Sequence, residues 1–338
     1  MRRGVTLADV AAEAGLSRST ASLVFRNDPV VSAKARRRVL NAAEALGYVY
    51  NRNAARLRTS ATKTIGILTP GPTNPFFGGF VGALEHSLDG AGYTALLGNT
   101  SDSTARETEL VRTFMEYRVD GALIVPAAGS PAEFGEVLSK LEIPHVILTR
   151  RLAAGSDYYV GSDDILGGRL AAAHLVDHGC RAVAYLGGPL EVFTHVDRSS
   201  GARRRLEESG TEFDSAWSGY CETSSAAGFD LARRLLRESP PPDGIICHSD
   251  AIALGVMRAF QDAGIAVGSD VRVVGFDDVP DARYWWSSLT TVRVEVDAIA
   301  RAAVDMLLSL ISGEGTGTQP VLVEPELIVR ESCGCSIA

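Results

Sequence analysis

The chain has 338 residues, 46% of them apolar and 22% charged, with a net charge of −8. That length suits two or three domains, and a mean hydropathy of +0.07 allows a buried core without a membrane segment. No apolar run approaches the roughly 18–20 residues a spanning helix needs, which argues against an integral membrane protein.

The start, MRRGVTLADV, passes from a basic tip into polar, helix-like sequence with no apolar h-region, so a cytoplasmic protein without a secretory leader is expected. The five cysteines (180, 221, 247, 333, 335) are scattered and odd in number. Cys333 and Cys335 form a C-x-C, which lacks the C-x-x-C spacing of common zinc or redox sites, so buried or incidental thiols are expected. The six histidines, His145, His174, His178 and His195 among them, show no metal-ligand spacing either, and no metal or cofactor is expected.

The net charge hides a split. Residues 1–60 hold eleven Arg/Lys against four acids, a charge of +7, and the rest of the chain carries −15. A basic head on an acidic body suits a polyanionic partner for the head alone, or a solvated basic face.

Thr6-Leu7-Ala8-Asp9 fits the S/T-x-x-D/E start of a first helix, with Val10 and Ala14 continuing its apolar stripe. Gly15 ends it, since a residue without Cβ enters the left-handed region cheaply. Ser17 can cap a second helix running to about Arg26, where Asn27-Asp28-Pro29 breaks it. At 100° per residue, Ser17, Ala21, Val24 and Phe25 share one side of that helix, while Leu23 falls opposite, beside Ser19 and Arg26. Ser32 opens a third helix with Val39, Leu40, Ala43 and Leu46 on one face, closed by Gly47. Three short helices with a glycine turn between the first two predict a helix-turn-helix, its second helix in a DNA major groove. The segment YVYNRNAARLRTSATKT that follows is basic and polar and reads as a linker.

From Ile65 onward, short β-rich runs (IGILT, TALLGN, DGALIVP, HVILT, AVAYLGG, DGIICHS, VRVVGFDD) alternate with helical stretches such as Phe80–Ala91, Ala105–Tyr117, Leu166–His178 and Ala251–Ala263. This alternation predicts an α/β body of parallel, doubly wound sheets. About 275 residues suit two such sheets, with VDGALIVP (119–126) and PDGIICHSD (242–250) in counterpart positions. A ligand would bind in the cleft outside the carboxyl ends of the strands. P-loop, nucleophile-elbow and H-E-x-x-H motifs are missing, and GEGTG (313–317) lies in the wrong context for a dinucleotide loop, so no enzyme and no catalytic residues are expected.

VTLADVAAEAGLSRSTASLVFRN with VSAKARRRVLNAAEALGY resembles the DNA-binding head of the lactose/galactose repressor (LacI/GalR) family. In the body, TNPFF (73–77), GGRLAAAHLVDHGCRAVAYLGGP (167–189), SDAIALGVMRAFQDAGI, VVGFDD, LTTVR and LIVRES continue the likeness in order over essentially the whole chain. The resemblance implies a helix-turn-helix head (1–49), a hinge that becomes helical on DNA (50–63), and a periplasmic-binding-protein-like body (64–338) that binds an effector and dimerises. Its N-subdomain would comprise about 64–162 plus 293–325, and its C-subdomain about 163–292 plus 326–338.

It also implies base-reading positions at Arg18, Ser19 and Leu23. Arg18 could meet guanine or a phosphate, and Ser19 can donate or accept. Leu23 could touch a thymine methyl or pack within the head. Thr6, Ser22 and Arg36 would contact the DNA backbone. In the hinge, Leu57 is the matching minor-groove wedge, with Asn51, Ala54 and Arg58 beside it, although Tyr50 stands where proline is common. For the effector, Phe76 and Phe77 could stack on a ligand or join the core. Arg198 begins RSSGA, where the family has an effector-binding Arg-x-x-Gly-Phe, and Ala202 replaces that Phe. Asp277 could accept from ligand hydroxyls or cap a turn, and Arg150 could bind ligand or form a surface ion pair. Ser249 stands where asparagine is frequent, with Asp250 expected to cap the following helix, and Thr149 stands where aspartate is frequent.

The expected function is a homodimeric regulator, most simply a repressor, whose affinity for a near-palindromic operator is set by a small molecule. A sugar or sugar derivative suits the family's habit. A co-repressor of non-sugar chemistry, or a sugar-binding protein without regulatory role, are the alternatives.

Overall fold

The computed structural model describes residues 5–25, 28–49, 61–71, 74–140, 142–153, 155–156, 158–314 and 319–335. The hinge candidates Asn51, Ala54, Leu57 and Arg58 lie outside the described residues. The chain divides into two compact units, residues 1–62 and 63–338.

The first unit holds α1 (Leu7–Glu13), α2 (Arg18–Phe25) and α3 (Ala33–Ala45). Each helix begins on a side-chain cap that satisfies an otherwise orphaned N–H. The Asp9 carboxylate accepts the Thr6 N–H at 2.8 Å, while the Thr6 hydroxyl accepts the Asp9 N–H at 3.4 Å, closing a capping box. Ser17 Oγ accepts the Thr20 N–H at 3.0 Å, and Ser32 Oγ accepts that of Ala35 at 3.3 Å. Gly15 turns the chain between α1 and α2 at φ +60°, where a Cβ would be strained. Val10, Ala14, Ala21, Val24, Val39 and Ala43 form the head core, with Phe25 edge-on to Tyr48. Leu40 was expected in that core and is instead 47% exposed. The stripe that α3 turns inward is Val39, Ala42, Ala43 and Leu46, at i, i+3, i+4 and i+7, and Leu40 lies off it.

The second unit is built on two sheets. The first contains β1 (Thr64–Thr69), β2 (Thr94–Asn99), β3 (Gly121–Ile124), β4 (His145–Leu148), β5 (Tyr159–Ser162) and β12 (Val321–Val323). Their order is β12-β5-β4-β3-β1-β2 and every pairing is parallel. The second contains β6 (Ala182–Gly187), β7 (Glu212–Phe213), β8 (Gly219–Tyr220), β9 (Gly244–Cys247), β10 (Arg272–Asp277), β11 (Thr290–Arg293) and β13 (Glu326–Ile328). It runs β13-β11-β10-β9-β6-β7, with β8 also beside β6, and only β13 is antiparallel. Helices α4 (Pro75–Gly90), α5 (Thr104–Glu116), α6 (Glu133–Lys140), α7 (Asp164–Asp177), α8 (Phe193–Ser209), α9 (Ser225–Leu235), α10 (Asp250–Asp262) and α11 (Val296–Ser312) supply the crossovers. Helices on both faces explain why the central strands read as continuous apolar runs, all four residues of β3 and β9 being buried.

The chain passes between the sheets three times: after Ser162, after Arg293, and between Val323 and Glu326. Each lobe therefore needs segments from distant parts of the sequence. The helix expected from Phe80 begins at Pro75, where Asn74 caps it and a proline at the first position is pre-set for helical φ. No described helix is long and apolar enough to cross a membrane.

Candidate functional site

In the head, Arg18 and Ser19 are exposed at the start of α2, one turn before Ser22 and Leu23, which are half-buried. Leu23 is not among the described residues packed on the head core, so its side chain belongs to the outward half of the helix. Two candidate backbone contacts have work inside the head. Arg36 donates from Nη1 to the Val24 carbonyl at 3.2 Å and from Nη2 to that of Asp28 at 2.9 Å, stapling the end of α2 to α3. The Thr6 hydroxyl donates to the Asp9 carboxylate at 2.7 Å. Both were expected to face phosphates, and the structure gives them internal roles first.

In the body, the strand ends of the two lobes face each other across a cleft. The lobe of β1–β5 contributes Asn74, Phe76, Phe77, Thr149, Arg150 and Ser162, and the other lobe contributes Asp164, Thr194, Arg198, His248, Ser249 and Asp277. Five of the six effector candidates sit at strand ends or at the helix starts that follow them, where chain reversal leaves side chains free to converge. Arg198 reaches the cleft from α8.

Arg198 is the centre of the second wall. It is buried, its Nε donates to Asp164 Oδ1 at 2.7 Å, and its Nη1 donates to the His248 carbonyl at 2.7 Å. Nη1 also lies 3.6 Å from Asp277 Oδ1, and the guanidinium stacks 3.6 Å above the Phe276 ring. Among the described residues Nη2 has no hydrogen-bond partner, which leaves one edge of the planar fork for a ligand. The arrangement depends on close helix packing. A Cβ on Gly168 of α7 would stand 2.0 Å from the Arg198 carbonyl oxygen, and one on Gly201 of α8 would stand 2.1 Å from that of Ile165.

Burial pushes the Asp277 and Asp164 carboxyls upward, and Arg198 pulls both back. Asp277 also adopts φ +117°, a conformation that side chains rarely take and that is found at functional sites. Burial, with help from Arg198, holds His248 well below its ordinary range and His195 at about 4, so both imidazoles are neutral. The Tyr185 hydroxyl lies 3.3 Å from His248 Nδ1.

The facing wall combines aromatic and polar groups. Phe76 stacks on Phe80 at 5.8 Å and meets Phe77 edge-on at 5.2 Å, so it joins the core and lines the cleft at once. Arg150 pairs with Asp102, donates to the Pro126 carbonyl at 3.1 Å, and lies 5.3 Å from the Phe77 ring centroid. Its ion pair is real, and it lines the cleft as well. Among the described residues, the buried Thr149 Oγ1 and Ser162 Oγ have no hydrogen-bond partner, an arrangement rare in folded proteins unless a ligand or water completes it. Thr149 is held at φ +53°, further strain at the same wall.

One sequence expectation is reversed. Ser249, and not Asp250, caps α10, its Oγ accepting the Ile252 N–H at 3.2 Å. Asp250 is turned inward, accepting from Thr291 Oγ1 at 2.6 Å and the Val279 N–H at 2.8 Å. Burial pushes its carboxyl up to about 7. Sequence reading also passed over Asp164, Ser162, Thr194 and His248. Asp164 left a signal, two acids in a row before a helical stretch, but such acids are ordinary helix starts; Asp163 is indeed the cap of α7.

Residues 6–51 match the profile of bacterial regulatory proteins of the lacI family, and residues 172–333 that of a periplasmic binding protein-like domain. Over 328 residues the chain is 30% identical to the HTH-type transcriptional repressor PurR of Erwinia tasmaniensis, covering 97% of this chain and 96% of that repressor. The fold is similar to the Lac repressor dimer bound to operator and the anti-inducer ONPF, with a TM-score of 0.84, 28% identity, and 98% and 99% of the two chains covered. It is also similar to the transcriptional regulator CelR in its cellobiose complex, with a TM-score of 0.74, 29% identity, and coverages of 97% and 99%.

Proposed function

The chain belongs to the LacI family of bacterial regulatory proteins, and from that premise we propose that it is a cytoplasmic homodimeric repressor, released from operator DNA by a carbohydrate bound in the cleft. It is a regulator and not an enzyme, as its repressor relatives are. Two heads would address half-sites about one helical turn, roughly 34–36 Å, apart. Arg18, Ser19 and Leu23 read bases. Leu57 wedges into the minor groove, with Asn51, Ala54 and Arg58 beside it in the hinge.

The lining of the cleft carries the effector class. Among the described residues, Arg198 offers a guanidinium edge without a partner, Thr149 and Ser162 offer buried hydroxyls without partners, and Asp164 and Asp277 offer acceptors. Donors and acceptors set beside the Phe76–Phe77 edge suit the hydroxyls and C–H face of a sugar. The CelR structure, which contains cellobiose, supports this choice. The aromatic edge of Phe76 and Phe77 favours a second reading in which a non-sugar metabolite with a planar face acts as co-repressor.

Control requires only differential affinity. To lower operator affinity about 100-fold, the ligand must bind the released conformation about 100-fold more tightly than the operator-bound one, roughly 2.7 kcal/mol. The test is a thermal-shift screen with mono- and disaccharides, sugar phosphates, nucleosides and purines, followed by operator titrations with each hit. A sugar that raises the melting temperature and weakens operator binding is expected. A purine that strengthens operator binding would replace the first reading with the second. Removal of residues 1–62 should abolish operator binding and leave ligand binding intact, and retained specific DNA binding would sink the assignment.

A further inference from the structure

Far from the cleft, at the other end of α7, the fold brings together four side chains that the sequence keeps well apart. His174 and His178 lie one helical turn apart, so their rings project from the same face, with centroids 4.5 Å apart. Against them stands the C-x-C that follows β13, where the chain forms a short 3-10 turn, Glu331–Cys333. One ligand atom from each of His174, His178, Cys333 and Cys335 can be chosen so that all four lie within 4.8 Å of one another. Cys335 Sγ is already 3.2 Å from His178 Nε2. In a tetrahedral zinc site, Zn–S bonds near 2.3 Å and Zn–N bonds near 2.0 Å separate the ligand atoms by roughly 3.3–3.8 Å. The cluster therefore needs only a small contraction.

We propose that His174, His178, Cys333 and Cys335 form a Cys₂His₂ site for a thiophilic divalent cation, best filled by zinc. Three further observations favour this over chance proximity. Among the described residues, the buried His174 Nε2 has no hydrogen-bond partner, an orphan that a metal bond would satisfy. The Thr290 hydroxyl stands 3.1 Å from Cys333 Sγ, placed to donate to a thiolate as an outer-shell partner does. The carboxyl end of α7, where His178 is the C-cap, also presents the negative pole of the helix to the cation.

The charge is balanced. Arg272 of β10 lies near His178, Cys180 and Cys335. Two thiolates neutralise a divalent cation, so the guanidinium does not oppose the filled site. Four protein ligands leave no open position, which makes the site structural rather than catalytic. Its position gives it a task. The terminal segment is stitched to the second lobe by Ser332, which donates to the Val273 carbonyl at 2.6 Å, and by Arg330, which donates to Asp278 at 2.6 Å. A metal would add a link from that segment to α7, the helix whose first residue, Asp164, holds Arg198.

The test uses untagged, full-length protein, reduced and stripped with chelator. Titration with Co²⁺ should produce the thiolate-to-metal absorption of a tetrahedral site at one equivalent per chain, and Zn²⁺ should displace it. Cys335→Ser and His178→Ala, both half-buried positions, should each weaken Zn²⁺ binding by more than the roughly 10–100-fold that loss of an outer-shell partner costs. Circular dichroism should show both variants folded, and the zinc-dependent rise in melting temperature should disappear in both. The proposal fails if the wild-type protein gives no thiolate–cobalt absorption, or if that absorption survives Cys335→Ser unchanged. It fails equally if Cys333 and Cys335 are joined as a disulfide whose reduction restores no metal binding.

Discussion

Asp164, the first residue of α7, and Arg198, in the second turn of α8, form a 2.7 Å charge pair in which both side chains are less than a tenth exposed. Buried this far, each charge depends on the other, because removing one partner leaves the second uncompensated, at a cost of about 3–5 kcal/mol. Asp164→Ala should therefore lower the stability of the body by about 3 kcal/mol in urea unfolding. Arg198→Ala should abolish the ligand-dependent change in operator affinity while leaving unliganded operator binding intact. Loss of both activities in Arg198→Ala would assign the arginine to folding alone.

The same pair depends on a residue with no side chain. At Gly168, a Cβ would lie 2.0 Å from the Arg198 carbonyl oxygen, and since the Cβ is fixed to its backbone and the oxygen belongs to backbone, neither can swing away. Gly168→Ala should separate α7 from α8, lowering stability by about 1–3 kcal/mol and weakening ligand binding along with it. Unchanged urea midpoints would show that the helices adjust freely.

In the head, internal and outward arginines should respond differently. Arg36→Ala removes two hydrogen bonds to carbonyls and should destabilise the head by about 1–3 kcal/mol, measured by thermal unfolding of residues 1–62 within the full chain. Arg18→Ala, exposed at the start of α2, should leave the melting temperature alone and weaken operator binding by about 1–3 kcal/mol. Leu23→Arg should change base preference at one operator position. An unaltered preference would mean that Leu23 packs within the head.

The buried histidines set an acid limit. His195 is held at about 4, below its ordinary 6.5, so the unfolded chain binds a proton more readily between those values. Its contribution to stability is complete above about pH 6.5 and is lost as the pH falls towards 4, and His248, also lowered, acts in the same direction. Asp250 acts oppositely: raised from 3.8 to about 7, it favours the folded state at low pH and loses that contribution as the pH rises through this range. His195→Gln should therefore flatten the fall in unfolding midpoint between pH 6.5 and 4.5. An identical pH profile for variant and wild type would rule the histidine out.

Much of the head was legible because its signals are local. A cap, a glycine turn and a 3.6-residue period act over a few residues, so Thr6, Gly15, Ser17 and Ser32 could be assigned from the sequence. Leu40 was misplaced for a reason of degree: it is apolar and adjacent to the true stripe, and only the packing of α3 decides which of two neighbouring faces is covered. In the body, the long apolar runs marked the central strands. The short strands β5, β7, β8, β12 and β13, only two to four residues each, carry too little periodicity to stand out.

By itself, the sequence determined the basic head, the α/β alternation, the order of the family motifs and the presence of Arg198 in a recognisable setting, since composition, period and spacing are properties of a chain read along its length. The tertiary structure decided which groups meet. Asp164 with Arg198, the hydroxyls of Thr149 and Ser162 left without partners among the described residues, and the histidines of α7 against Cys333 and Cys335 all arise from three passages between two sheets and from helices brought close at glycines. Side chains from distant segments acquire chemistry only when folding removes the water between them. That desolvation depends on distance in space, which spacing along the chain does not encode.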